Sequence, residues 1–317
     1  MNDKPTNERL VSVLIPCYNH ELFLKDCLDS IINQKYQRIE LLICDDCSTD
    51  NSRNVIYEYM ERLKERFVNF TFIVNKTNQG VTKSLNKLLL LAQGEYIKPL
   101  ASDDFLHEDY IYSCIEAFIY NTNCSVVVTN GYKIEQESTR KEMKVMAPFY
   151  ASKPCFDVKT MFREIYLDNF IFAPGAMIKS SVYNELGIYD EDSAVEDWEF
   201  WLRLTKEKNI EFEYLESPLV YYRINTSSIT SLKGEHVLEK RKRVFYSEMY
   251  IIDKYGKEFS LLFYLERKYT RICQEREILN SIDAKDIEGW IEKELNKSLM
   301  LKWMDIFVRI KNRYRIH

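Results

Sequence analysis

The 317-residue chain contains few of the residues that mark linkers, with only eight glycines and seven prolines. Long disordered linkers are not expected, because such segments are usually rich in these residue types. The sequence also has no run close to the roughly 20 apolar residues that a membrane-spanning helix needs. Residues 1–9 are polar and no apolar stretch follows them, so the sequence predicts neither a spanning helix nor a signal peptide.

Several ligand-binding signatures are missing as well. No two glycines are separated by a single residue, which excludes the G-x-G-x-x-G loop of dinucleotide-binding proteins. There is no G-K-[ST] phosphate loop and no H-E-x-x-H zinc helix. Cys44 and Cys47 match C-x-x-C, but no second pair supports zinc, so we interpret this spacing as coincidental. Several of the eight cysteines lie in apolar runs, which favours buried thiols in a reducing compartment.

Charge is unevenly distributed along the chain. The net charge of −5 combines 26 basic and 35 acidic residues before Gly234 with 18 basic and 14 acidic residues from Gly234 onward. An acidic main body argues against nucleic acid as the principal partner. The sequence divides here into a predicted catalytic domain, residues 1–233, and a helical extension, residues 234–317.

Strand-like and helix-like segments alternate in the first half of the chain. This alternation predicts an α/β fold with a mainly parallel, Rossmann-like sheet covered by helices on both faces. Ligands of such sheets bind beyond the carboxyl ends of the strands. The predicted strands include Val11–Ile15, Leu41–Cys44 and Tyr96–Leu100, so the residues that follow them are the candidates for a site. The charged segment Lys133–Phe156 is predicted to be an irregular loop.

Three acidic groups follow this pattern. Asp45-Asp46 and Ser102-Asp103-Asp104 each close a predicted strand, and Glu196-Asp197 begins a predicted helix. Each has an ordinary structural explanation, because carboxylates also stabilise turns and helix N-termini. Their functional interpretation is a Mg²⁺ or Mn²⁺ site beside a diphosphate, with a carboxylate as general base. Trp198 and Trp201 could pack on a sugar, although their spacing is equally typical of core residues.

These residues also carry a family resemblance. Val11-Ser-Val-Leu-Ile-Pro-Cys-Tyr-Asn19 and Leu41-Leu-Ile-Cys-Asp-Asp-Cys-Ser-Thr-Asp50 resemble the first two strand motifs of inverting glycosyltransferases of family 2, which have the GT-A fold. Asn78-Gln-Gly-Val81, Asn86 and Ser102-Asp-Asp104 continue the resemblance in order, over about residues 10–230. It implies a bacterial polysaccharide-type hexosyltransferase that uses a nucleotide diphosphate-sugar, with a UDP-sugar as the expected donor.

The resemblance implies a role for each matching residue. The expected nucleotide-binding residues are Pro16, Tyr18, Asp46, Lys83, Ser102, Asp103 and Arg223. Asp103 and Asp104 are the expected ligands of Mn²⁺ or Mg²⁺. Asp197 is the expected catalytic base, supported by Glu196. The expected acceptor is a glycan or a lipid-linked glycan, within surface polysaccharide synthesis.

The sequence departs from the family pattern at four positions. Ala101 replaces the first aspartate of the D-x-D motif, which removes one carboxylate from the expected metal site. Leu85 replaces an arginine that often precedes Asn86, so Lys83 is the expected substitute for its phosphate contact. Cys47 replaces a glycine, and Asn225 stands where histidine is frequent. None of these changes affects Asp197.

Two functions other than glycosyl transfer stay open at this point. A nucleotidyltransferase would need a glycine-rich basic loop near the N-terminus, and residues 16–20 supply none. A non-catalytic carbohydrate-binding or scaffold protein derived from the same fold is consistent with Ala101 and Leu85. The sequence otherwise predicts an enzyme located in the cytoplasm.

The segment from residue 297 to 317 raises a separate question. It has six basic residues and one acidic residue, and its apolar residues recur at helical spacing. Such a helix could bind peripherally to the inner face of an anionic membrane. It could equally pack on its own domain or mediate a homodimer, and the sequence leaves these alternatives open.

Overall fold

The computed structural model describes residues 9–136, 145–150, 156–207, 210–224 and 237–280. The strands are β1 (Val11–Cys17), β2 (Ile39–Asp45), β3 (Asn69–Val74), β4 (Tyr96–Pro99), β5 (Phe105–Leu106), β6 (Cys124–Glu135), β7 (Val145–Pro148), β8 (Ala176–Lys179) and β9 (Glu211–Ile224). The helices are α1 (Leu24–Ile32), α2 (Ser52–Arg66), α3 (Val81–Leu91), α4 (Tyr110–Tyr120), α5 (Val158–Leu167), α6 (Ser180–Leu186), α7 (Glu196–Lys206), α8 (Val237–Gly256) and α9 (Leu261–Asn280).

A single sheet organises the first part of the chain, in the order β3-β2-β1-β4-β8-β6-β9-β5. The four strands from β3 to β4 are parallel to one another. Strand β8 runs antiparallel to both β4 and β6, and β9 is parallel to β6. The sheet is therefore mixed, whereas the β-α alternation predicted a mainly parallel one. The parallel part corresponds to the segment in which that alternation is regular.

The central strands β1 and β2 are buried on both faces. Every residue of β2 is buried, as are six of the seven residues of β1. Continuous apolar sequence is typical of parallel strands covered by helices on both sides, and these two strands have that character. This leaves the carboxyl ends of the strands as the part of the sheet where polar residues can gather.

The structure differs from the sequence prediction in the segment from residue 133 to 179. The predicted loop Lys133–Phe156 contains the end of β6 and all of β7, which pair antiparallel. Helix α5 was not predicted. Residues Ala173–Gly175 form a 3₁₀ turn, and β8 begins directly after it at Ala176. Gly175 is required there, since a Cβ atom would lie 2.4 Å from the Thr129 carbonyl oxygen.

The chain divides into two compact units. The first comprises residues 1–191 and 196–225 and contains the sheet, while the second comprises residues 192–195 and 226–317. The predicted boundary between residues 233 and 234 lies outside the described residues, as do Asn225 and the basic segment 297–317.

The described helices of the second unit, α8 and α9, pack against each other. Buried ion pairs join them, with Arg241 bonded to Glu275 and Arg271 paired with both Glu248 and Glu275. Across the described ranges, no helix combines the length and the apolar character needed to cross a membrane.

Candidate active site

The predicted nucleotide-binding residues begin at the carboxyl ends of β1 and β2. Cys17 and Asp45 are register partners there, and the Asp46 N–H donates to the Cys17 carbonyl over 2.8 Å. Strand β4 lies on the other side of β1, and the Leu100 N–H donates to the Leu14 carbonyl over 2.9 Å. The three loops that follow these strands therefore lie at one edge of the sheet.

Hydrogen bonds join the loop after β1 to the loop after β2. The N–H groups of Asn19 and His20 donate to the hydroxyls of Ser48 and Ser52, over 3.0 and 2.9 Å. Asn19 has a φ of 54°, a left-handed conformation that asparagine tolerates better than most residues. These contacts fix the backbone beside Tyr18, whose side chain is 42% exposed and thus accessible to a ligand.

Asp46 is buried and already accepts three hydrogen bonds from its own chain. Its Oδ1 accepts from Asn75 Nδ2 over 2.7 Å and from the Gln79 N–H over 2.9 Å. Its Oδ2 accepts from the Gly80 N–H over 2.7 Å. Gly80 has a φ of 91°, which L side chains rarely adopt, so the loop needs glycine here. Asp46 thus holds the loop that leads into α3.

Helix α3 carries Leu85, one of the four departures from the pattern that the sequence resembles, and Lys83, its expected substitute. Leu85 is buried, so the side chain in place of the frequent arginine belongs to the core. Lys83, the expected substitute, is exposed on the first part of the same helix. Its ammonium group is therefore accessible to solvent and to an anionic ligand.

The acidic turn after β4 comprises residues 102–104, and it contacts His20 after β1 and Arg223 on β9. Ser102 Oγ lies 2.8 Å from His20 Nδ1, and Asp103 Oδ1 lies 3.9 Å from the same nitrogen. Asp104 is buried, and its Oδ1 accepts from the Arg223 N–H over 2.8 Å. The structure therefore adds His20 to the site. Sequence reasoning missed it, because a single histidine after a strand gives no specific signal.

Arg223 lies beneath this turn, with a fully buried side chain. Its Nε donates to the Asp103 carbonyl over 2.8 Å, and its Nη1 donates to the Gln136 carbonyl over 2.7 Å. The guanidinium also stacks on the Phe23 ring, 4.6 Å from its centroid. In this arrangement the arginine supports the acidic turn.

Asp197 lies in the first turn of α7, next to Glu196, and both side chains are partly buried. Burial raises the pKa of Asp197 above its ordinary value, although hydrogen bonds from Trp198 and Asn169 act in the opposite direction. The Trp198 N–H donates to Oδ1 over 2.7 Å, and Asn169 Nδ2 donates to Oδ2 over 3.3 Å. Asn169 is a second residue that the sequence did not indicate.

Tyr222 shows that two of the acidic groups share one environment. Burial, together with the negative charges of Asp104, Asp103 and Asp197, raises the pKa of the Tyr222 hydroxyl to about 12. The three carboxylates therefore act on one phenol at the end of β9, although Asp197 is more than 90 residues from the other two in sequence. The tryptophans of the same motif, Trp198 and Trp201, are buried core residues.

The acidic turn has the chemistry of a divalent-cation site. Oδ2 of Asp104 is buried and has no hydrogen-bond partner among the described residues. Burial and the charge of Asp103 raise the pKa of Asp104 well above its usual range, and a cation would relieve both effects. No three potential protein ligands converge within the described ranges. Mg²⁺ is commonly held by one or two carboxylates together with substrate phosphates.

Comparison with known proteins identifies the family. The family model described as glycosyl transferase family 2 matches residues 12–187, more than half of the chain. The chain belongs to glycosyl transferase family 2. This assignment agrees with the sequence motifs, and the matched residues include the loops after β1, β2 and β4.

The similarity to one curated relative agrees with this assignment. Chondroitin synthase of Escherichia coli is 33% identical to this chain over 129 residues. The matched segment makes up 40% of this chain and 18% of the synthase. The matched segment thus spans about a fifth of the length of that relative.

Solved structures confirm the fold. S. aureus TarS in complex with UDP-GlcNAc superimposes with a TM-score of 0.53 at 19% identity, covering 83% of this chain and 71% of TarS. The mannosyltransferase PcManGT of Pyrobaculum calidifontis, in complex with GDP-Man and Mn²⁺, gives a TM-score of 0.54 at 14% identity, covering 96% and 80% of the two chains. The predicted GT-A fold is therefore confirmed.

Proposed function

We propose that this glycosyltransferase moves a sugar from a UDP-sugar to a hydroxyl group of a glycan or lipid-linked glycan, with inversion at the anomeric carbon. The proposed process is the synthesis of a surface polysaccharide. Support comes from the sequence similarity to a chondroitin synthase and the structural similarity to TarS, whose structure contains UDP-GlcNAc.

The observation that carries this proposal is the shared environment of Asp103, Asp104 and Asp197 around Tyr222. A transferase needs a group that stabilises the departing diphosphate and a group that takes the acceptor proton. The two groups must lie close together without being the same. The acidic turn after β4 supplies carboxylates for the first task, and the first turn of α7 supplies a separate carboxylate for the second.

In the proposed reaction, Asp197 is the general base. The acceptor hydroxyl oxygen forms a bond to the anomeric carbon, while the bond from that carbon to the diphosphate oxygen breaks. The hydroxyl proton passes to the Asp197 carboxylate. Burial raises the pKa of this carboxyl group, which makes it a stronger base than an exposed aspartate. Asn169 would orient it through Oδ2, and Glu196 would support the acceptor.

The proposed donor site lies at the edge formed by β1, β2 and β4. Pro16 and Tyr18 would line the nucleoside pocket, with Asp46 at the base edge. Ser102 and Asp103 would lie toward the diphosphate, and Lys83 would supply an accessible positive charge. Arg223 would act from below by holding the backbone of the acidic turn in place.

Asp103 and Asp104 would hold Mn²⁺ or Mg²⁺ together with diphosphate oxygens. The bound cation would supply Lewis-acid stabilisation of the negative charge on the leaving diphosphate. The structural neighbour PcManGT contains Mn²⁺. In this chain, the orphaned Oδ2 of Asp104 is the residue-level support for such a site.

The proposed location is the cytoplasm. If the acceptor is lipid-linked, the reaction takes place at the inner face of the membrane, and the basic segment 297–317 is the candidate contact. Flotation with anionic phosphatidylglycerol vesicles, comparing the full chain with a chain ending at residue 296, tests this part. Equal flotation of both chains contradicts it.

The substitution Asp197→Asn tests the mechanism. It is expected to lower sugar transfer by at least about 10³-fold, because the proton acceptor is lost, while UDP binding in the presence of Mn²⁺ stays within about twofold. Glu185→Gln, an equivalent change on the exposed side of α6, is the matched control and is expected to keep full activity. Transfer by Asp197→Asn at the wild-type rate would remove Asp197 from the mechanism. NMR of the product's anomeric configuration tests inversion.

A further inference from the structure

Asn86 makes an unusual set of contacts for a residue in the middle of a helix. It lies on α3 and is buried. Its Nδ2 donates to the Tyr189 carbonyl over 2.9 Å, and its Oδ1 accepts from the Tyr189 N–H over 3.1 Å. One side-chain amide thus satisfies both backbone groups of a residue 103 positions away. Nδ2 also lies 3.2 Å from Oε1 of Glu191.

The donor side of the site lies at the start of the same helix. Helix α3 begins at Val81, directly after Gly80, whose N–H is bonded to Asp46. Lys87, the residue after Asn86, donates to Asn75 and Gln79 over 2.8 and 2.7 Å, and so holds the same loop from the helix. The position of α3 is therefore fixed relative to the proposed nucleoside pocket.

Tyr189 in turn lies against the helix that bears Asp197. Its ring centroid is 4.8 Å from that of Phe200 on α7, and its hydroxyl is 2.8 Å from the Tyr183 hydroxyl. Burial raises the pKa of this tyrosine, and the charges of Glu196 and Asp197 raise it further. A second contact from α7 fixes the same segment, since Arg203 Nη2 donates to the Ile188 carbonyl over 2.8 Å.

Similar amide contacts elsewhere in the fold are purely structural. Gln34 is also buried, and its side chain bonds the His107 carbonyl over 2.7 Å and the Ile111 N–H over 3.1 Å. These contacts join the turn after α1 to residue 107 and to α4, and none of them reaches Tyr189 or α7. What distinguishes Asn86 is therefore its partner, because Tyr189 packs on the helix that carries the proposed base.

We propose that Asn86 is a positioning residue, which sets the distance between the bound donor and the Asp197 carboxylate by tying α3 to Tyr189. This inference rests on the proposed role of Asp197 as base. Reactions between bound groups are sensitive to such geometry, and a displacement of about 1 Å can reduce the rate about 100-fold. Asn86 touches neither reactant in this mechanism, so its effect is on alignment alone.

The test compares Asn86→Ala with Gln34→Ala, which removes a buried side-chain amide that bonds neither Tyr189 nor α7. Both variants are expected to unfold at lower temperature than the wild type. Asn86→Ala is expected to lower kcat about 10- to 100-fold, with the donor KM and UDP affinity within about twofold. Gln34→Ala is expected to keep kcat within about twofold. A structural role alone would lower the fraction of folded enzyme without this separation of kcat from KM.

A second variant keeps the inference testable if Asn86→Ala does not fold. Asn86→Asp has the same shape and keeps an acceptor for the Tyr189 N–H, but it loses both donors and faces Glu191. It is expected to lower kcat at least tenfold with donor affinity unchanged. A kcat within twofold of wild type in a folded Asn86 variant overturns the inference, as does an equal loss of kcat in Gln34→Ala.

The two proposals fail in different ways. If Asp197→Asn is inactive while Asn86→Ala keeps its kcat, the base assignment stands and the positioning role is wrong. If Asp197→Asn transfers sugar at the wild-type rate, the base assignment is wrong, and the positioning role falls with it.

Discussion

The backbone N–H of Arg223 and the carboxylate of Asp104 are joined by a hydrogen bond of 2.8 Å between the last strand of the sheet and the acidic turn. The arginine side chain holds the same turn through the Asp103 carbonyl. One residue of β9 thus fixes both aspartates that are proposed to bind the cation.

Arg223→Met is expected to destabilise the protein by about 3 kcal/mol, because it leaves the carbonyls of Asp103 and Gln136 without their buried donor. The donor affinity measured with Mn²⁺ is expected to fall as well, since the turn loses its support. Urea denaturation and calorimetry with UDP measure the two effects. Arg62→Met, which removes an exposed ion pair with Asp29, is expected to cost less than about 1 kcal/mol. An equal loss of stability in Arg223→Met and Arg62→Met contradicts the supporting role of Arg223.

Restoring the missing carboxylate of the D-x-D motif offers a direct test of the metal site. Ala101 is exposed at the sheet edge, so Ala101→Asp adds a carboxylate without disturbing the core. The apparent affinity for Mn²⁺ is expected to rise about tenfold, because a further oxygen ligand becomes available. Ala101→Asn has nearly the same shape without the charge and is the control. Equal Mn²⁺ dependence of transfer in Ala101→Asp and the wild type would argue against a cation at this turn.

Because Lys98 is buried, we expect the free energy of unfolding to depend on pH. This buried residue donates to the carbonyls of Pro174 and Ala176, and burial lowers its pKa from 10.5 to about 7. Between these values the unfolded chain binds a proton that the folded chain does not, so the contribution of Lys98 to stability falls as the pH falls from 10.5 to 7. Relative to Lys98→Met, the wild type is expected to lose about 3 kcal/mol between pH 9.5 and pH 7.

Urea denaturation of both proteins at the two pH values measures this difference. The Lys98→Met variant lacks the titrating group and corrects for all other groups that titrate in the same range. A stability difference that stays constant with pH contradicts a lowered pKa for Lys98.

The pH dependence of transfer follows from the environment of Asp197. A base must be ionised to accept a proton, and burial raises the pKa of this carboxyl group above its ordinary value of 3.8. The kcat is therefore expected to rise with pH through a midpoint above 3.8 and to level off at higher pH. Initial rates at saturating donor and acceptor, after correction for the folded fraction, measure this profile. A kcat that falls as the pH rises through this range is incompatible with the assignment.

Regular local patterns made much of the fold predictable. Helix α7 begins at Glu196 as predicted, and β1 and β2 contain the predicted strands with two and three more residues, respectively. Each has a continuous apolar run or a helical apolar stripe in its own sequence. The order of strands beyond β4 depends on contacts between distant segments, and no local pattern encodes it. Strand β8 therefore runs antiparallel where the alternation suggested a parallel sheet.

The site was predictable to a similar extent. The acidic groups were visible because adjacent carboxylates after a strand are unusual, and the structure places two of them around Tyr222. The buried role of Arg223 was not visible, because its hydrogen bonds go to backbone carbonyls of residues 103 and 136. Asn169 and His20 belong to no recognisable motif, and only the fold brings them to Asp197 and Ser102.

The three hydrogen bonds that Asp46 accepts within the chain limit how a nucleobase can be recognised. A carboxylate offers about four acceptor positions, so one position on Oδ2 is left for a base edge. A single acceptor of this kind is satisfied by the ring N–H of uracil or of guanine alike. In the proposed donor site, selection of one nucleotide over another would then depend on Tyr18, and exchanging that side chain is expected to alter base preference more readily than any change at Asp46.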